Sequence, residues 1–216
     1  MKMSIGELRR VIHEQLEEDD EEGPVAAPWQ VMDALVDWTA SSTNRHVLTP
    51  RIIAGIRKML DSKEGGVREP YPGMLQHRGL IMSRGQLERW LNDPELPAEG
   101  QRHVDIVVGK EAASSWSSRR NIAVNFAGRS KATVALYISD PVSVVMTTKA
   151  SSNPPGTFID MKRGASTRLI NSFADELESI SLGPVKVDTV TWIESPESEY
   201  RYDARDHLEK MVMNIK

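Results

Sequence analysis

Apolar residues first recur along this chain at helical spacing. Ile5, Leu8, Ile12 and Leu16 line one face, and Ser4 with Glu7 makes a capping-box pattern, so residues 4–17 are expected to form a helix. After Pro28, Val31, Met32, Leu35 and Val36 make a second apolar stripe. Thr49-Pro50 opens another helix, as an N-cap followed by a first-turn proline, with Ile52, Ile53, Ile56, Met59 and Leu60 on one side and Gly65-Gly66 at its end.

From residue 70 the pattern changes. Pro70, Pro72 and Gly73 precede a strand-like run from Met74 to Met82. Ser83 and Gln86 form the capping box of a helix whose inner side is Leu87, Trp90 and Leu91. Val104 to Val108 reads as a buried strand. Ser118 caps a short helix expected to turn Ile122, Ala123, Phe126 and Ala127 inward. Val134, Leu136 and Ile138 alternate as in a strand; Val142 to Thr148 and Phe158 to Met161 are further strands, and Asn153-Pro154-Pro155-Gly156 is a loop. Leu169, Ile170, Phe173 and Leu177 predict a helix from Ser166 to Ile180, stopped by Gly183-Pro184. Val185 to Ile193 is a long strand, and Tyr200 and Tyr202 suggest one more. The class is α+β: a helical segment over residues 1–66 and a mixed domain over 67–216.

Charge and composition narrow the chemistry. The acidic run Glu17 to Glu22 repels itself and reads as a solvated linker. The net charge of −4 argues against general nucleic-acid binding. The absence of cysteine excludes disulfides, zinc–thiolate sites and a thiol nucleophile, and the five histidines lack ligand spacing, so no metal is expected. There is no phosphate-loop pattern. No apolar run has the length of a membrane span and no signal-peptide pattern opens the chain, which predicts a cytoplasmic protein, or one delivered into a host cytoplasm.

Three segments could carry chemistry. Arg78-Gly79 lies inside a predicted strand, Ser115-Trp116-Ser117 immediately precedes a predicted helix, and Glu197-Ser198-Glu199 follows a strand and a proline turn. Each alone has an ordinary explanation: a surface arginine, a helix cap, two solvated carboxylates. On an extended segment, however, residues two apart face the same side. Paired carboxylates there repel, which raises the pKa of one and separates a general base from a charge stabiliser.

In this order the segments resemble the arginine–serine–glutamate class of mono-ADP-ribosyltransferases with a Glu-x-Glu motif. The resemblance covers about residues 70–203 and is most family-like from Ser114 to Ala127. It implies two packed, mostly antiparallel sheets around an NAD cleft. The implied activity is transfer of ADP-ribose from NAD+ to a protein acceptor on arginine, with nicotinamide released and no metal. By the resemblance, Arg78 anchors the pyrophosphate and the backbone at Gly79 holds the nicotinamide amide. Ser115 orients the nicotinamide-side ribose and the catalytic glutamate, and Ser117 supports that strand. Glu199 stabilises the oxocarbenium-like sugar, and Glu197 serves the incoming guanidinium. The partner implied is a target protein in a bacterial host, as for effectors or toxins of bacteria and phages. Two alternatives stay open: an NAD+ glycohydrolase using water as acceptor, and a non-enzymatic structural or interaction protein retaining the fold. The chain departs from the family pattern at Trp116, where threonine is frequent, and on the turn before Glu197, where no aromatic residue stands.

Overall fold

The computed structural model describes residues 25–40, 48–62, 67–109, 113–129, 138, 140–160, 178–194 and 208–213. The described residues up to Arg68 group into one compact unit and those from Glu69 onward into a second. The expected helix at 4–17, the acidic linker, most of the strand around Leu136, most of the helix from Ser166 and the strand at Tyr200–Tyr202 lie outside the described residues.

The first unit holds α1 (Pro28–Ala40) and α2 (Pro50–Ser62). Thr49 caps α2 as its hydroxyl accepts from the Ile52 amide at 3.3 Å. The apolar stripes face inward: Val31, Leu35 and Trp38 are buried on α1, and Ile56 and Met59 on α2.

The second unit is built on β1 (Leu75–Ser83), α3 (Arg84–Leu91), β2 (Glu99–Val108), β3 (Ser114–Ser117), α4 (Arg120–Arg129), β4 (Pro141–Lys149), β5 (Phe158–Asp160), β6 (Glu178–Ser181) and β7 (Val185–Glu194). Residues 208–213 add a helical segment, α5. The strands form one seven-stranded sheet in the order β2-β7-β4-β1-β3-β6-β5, and every pairing is antiparallel. This corrects the expected pair of packed sheets around a cleft. The long strands β2, β7, β4 and β1 and the short strands β3, β6 and β5 are joined edge to edge through one registered pair, His77 with Ser117. Strand patterns in a sequence specify faces; they do not specify which edges hydrogen-bond.

Alternation along β1 sorts the two faces. One carries a core of Met82, Leu87, Leu91, Trp116, Val144, Met146, Phe158, Val190 and Trp192, with Leu80 packed against it. The other is covered by α4 and α5, through Ala123, Val124, Ala127, Leu208 and Val212 against Val145 and Ile193. Gly100 on β2 makes room for the Trp192 ring, which a Cβ would meet at 2.4 Å. Among the described residues no helix is long and apolar enough to cross a membrane.

Three further expectations are corrected. β2 is an edge strand, paired only with β7, so Val104, Ile106 and Val108 are half-buried and alternate with exposed residues. On α4 it is Val124 that is buried, while Phe126 is 47 % exposed, because the stripe facing the sheet is Ala123, Val124 and Ala127. Residues 178–180, assigned by periodicity to the end of a helix, belong to β6, where Ile180 is paired between Ser115 and Ile159. Pairing on both sides overrides a local helical pattern.

Candidate functional site

The Arg-Gly of β1 and the Ser-x-Ser of β3 become neighbours in the sheet. Arg78 is half-buried and lies in register with Met146 of β4. Gly79 is packed under α4: a Cβ there would meet the Ala123 carbonyl oxygen at 1.7 Å and the Ala127 nitrogen at 2.8 Å. The missing side chain is therefore needed for the helix backbone to lie on the strand, a reason independent of any ligand.

Ser114, Trp116 and Ser117 each have a distinct job. Ser114 is buried, and its hydroxyl lies 2.7 Å from that of Ser181 and accepts from the Trp116 indole at 3.0 Å. Trp116 is 2 % exposed and meets Phe158 edge-on, ring centroids 5.6 Å apart. The departure from the family pattern is thus a core side chain with its N–H satisfied. Ser115 is exposed. Ser117 is buried, and its hydroxyl accepts from the Arg119 amide at 3.0 Å, at the entry to α4. This bond spans two residues ahead of the helix, so it is a turn bond and not the helix cap expected of Ser118.

Side-chain faces divide these candidates. The His77–Ser117 pair puts Ser115 and Ser117 on the face of His77 and Gly79, and consecutive residues alternate, so Arg78 turns to the face of Trp116. Glu197 and Glu199 lie outside the described residues.

On the α4 side of the sheet, Met74, Leu75, His77, Ser118, Arg119, Arg120, Asn121, Glu209 and Met213 line an open concavity of about 570 Å³. That volume falls within the usual range for small-molecule sites. His77 forms its floor, 4 % exposed, with Nδ1 2.9 Å from the Thr147 hydroxyl. Burial, and secondarily the Arg120 guanidinium, lower its pKa from 6.5 to about 4, so the ring is neutral at physiological pH. Sequence reasoning treated His77 as an ordinary strand residue and passed over Arg119-Arg120. The signal that could have found the pair is electrostatic: two cations open a helix whose first turn holds no acid, at the positive end of the helix dipole. No group of three or more His, Asp or Glu among the described residues is placed to hold a metal.

Compared with family models, with curated proteins and with solved structures, the chain gives no match.

Proposed function

We propose that the protein is a mono-ADP-ribosyltransferase that transfers ADP-ribose from NAD+ to a protein acceptor, on arginine. One observation carries the reading. The Arg78-Gly79 strand and the Ser115–Ser117 strand, far apart in the chain, are adjacent in the sheet, and the helix that leaves the second packs onto the glycine of the first.

The chemistry asked of these residues is electrostatic. The glycosidic bond breaks, its electron pair leaves with nicotinamide, and positive charge develops on the ribose. A carboxylate, assigned to Glu199, stabilises that charge. A second, assigned to Glu197, holds the acceptor guanidinium and takes its proton as nitrogen bonds to the sugar. Exposed Ser115 is free of packing duties and suited to contact ribose, whereas Ser117 is committed to the entry of α4. The chain's partners in this reading are NAD+ as substrate and a target protein.

Incubation with labelled NAD+ and a bacterial lysate tests it. Label should appear on protein, vanish in Glu199→Ala, and fall at least tenfold in Arg78→Gln. Glu197→Ala should lose protein transfer but keep some NAD+ hydrolysis. Full transfer by Arg78→Gln, like an absence of NAD+ turnover in the parent chain, overturns the assignment.

A further inference from the structure

Two opposite charges face the open space above His77 without pairing. Arg120, which begins α4, and Glu209, on α5, are both half-buried and both line the concavity. Neither has a hydrogen bond or an ion pair among the described residues. Arg119 lines the space too, but it is exposed and has a partner of its own. A half-buried charge has given up part of its water, and a partner ordinarily offsets that loss. The arrangement suits a ligand that brings an anion to Arg120 and a cation to Glu209. It disfavours an ion of a single sign, which one of the two would repel.

The floor and wall narrow the ligand. The His77 ring is 4 % exposed and sets one nitrogen, Nδ1, against the Thr147 hydroxyl. Its Nε2 has no hydrogen-bond partner among the described residues. When Nδ1 accepts from that hydroxyl, Nε2 carries the proton and donates into the concavity. A guanidinium with a neutral N–H donor beside it matches a carboxylate, which accepts on two oxygens. Glu209 then accepts from an ammonium. Met74, Leu75 and Met213 give the same space an apolar wall, and Met213 is 50 % exposed. Methionine adapts to apolar groups of varied shape. A volume of about 570 Å³ leaves room for a side chain beyond the two charged groups.

We propose that this concavity binds a small zwitterion, a free α-amino acid with an apolar side chain. Its carboxylate is held by Arg120 over the buried His77, and its ammonium by Glu209. Ser115 stands on the same sheet face as His77, so this site shares a face with part of the one assigned to NAD+ turnover. The proposal does not rest on that assignment. Binding is read without NAD+, and failure of the transfer reading leaves the result as it stands.

The test is calorimetric titration of the full chain with L-phenylalanine, L-methionine and L-leucine, with the His77 ring resonances followed alongside. The tightest of the three is then compared with its two singly charged derivatives, the N-acetyl acid and the amide. The free amino acid should bind saturably and shift the His77 signals. Each derivative should bind on the order of tenfold more weakly, the loss of one charge-assisted contact. Arg120→Gln should erase the preference for the acid over the amide. Glu209→Gln should erase the preference for the free amine over the N-acetyl form. Thermal melting checks that both variants are folded. An N-acetyl acid that binds as tightly as the free amino acid makes this a simple anion site and overturns the proposal; an amide that does so makes it a cation site, with the same consequence. No saturable binding of any of the three, or unchanged preferences in the folded variants, also overturns it.

Discussion

His77 Nδ1 on β1 lies 2.9 Å from Thr147 Oγ1 on β4, and the two residues stand directly opposite one another in the ladder. The same rung continues to Thr189 on β7, in register with Thr147, and to His103 on β2, whose Nδ1 is 3.3 Å from the Thr189 hydroxyl. A polar row thus crosses four strands from the covered face to the sheet edge. His77, Thr147 and Thr189 are buried, and each threonine hydroxyl meets a histidine, that of Thr147 meeting His77 and that of Thr189 meeting His103.

The first prediction concerns acid. His77 is held at about 4 when folded and returns to 6.5 when unfolded. Between these values the unfolded chain binds a proton that the folded chain refuses. Stability is therefore complete above pH 6.5 and falls as pH drops toward 4, by about 3 kcal/mol in all. Urea unfolding across that window should show the slope, and His77→Gln should remove most of it. An unchanged slope in the variant would mean that other groups cause the loss.

Thr147→Val removes the ring's buried partner while keeping shape. The expected cost is about 2 kcal/mol, because a polar nitrogen is left unsatisfied rather than merely one bond lost. The urea midpoint reads this directly. A variant as stable as the parent would show that the pair contributes nothing.

Gly79→Ala places a methyl group against the α4 backbone, where Ala123 and Ala127 have no flexible atoms to yield. The helix must lift from the strand, at a cost of about 3 kcal/mol or more. Thermal melting should register the loss before any activity is measured. An unperturbed melting temperature contradicts the packing of α4 on β1.

Trp116→Thr should be harmful. Trp116 is enclosed by the core and meets Phe158 edge-on. Truncation leaves a large cavity, at about 3–5 kcal/mol. Equal stability would place Trp116 outside the core.

Gln76 is fully buried on β1, and neither atom of its amide has a hydrogen-bond partner among the described residues. Gln76→Met keeps the volume and removes the unsatisfied groups, so stability should rise by about 1 kcal/mol or more. A fall in the urea midpoint would reveal a partner for the amide.

Much of the local structure was legible from residue order alone. The Ser83 cap is formed as the capping pattern predicts, its hydroxyl accepting from the Gln86 amide at 3.2 Å. Thr49 caps α2, and the strands at Leu75–Ser83, Pro141–Lys149 and Val185–Glu194 fall on the apolar runs that announce them. These features depend on neighbours a few positions away, which is the range over which spacing and cap chemistry act. The motifs Arg78-Gly79 and Ser115–Ser117 were equally visible as words. Their faces were not, because a face is assigned by the register of one pair, His77 with Ser117.

What only the tertiary structure decided is where edges meet. It joined the strands into one sheet, left β2 at the rim, drew residues 178–181 into a strand and buried Trp116. It also brought Arg119 and Arg120 over a neutral histidine from another strand. The physical reason is common to all of these. Hydrogen-bonding edges and desolvation are set by residues remote in the chain, and no local pattern encodes which remote partner will arrive.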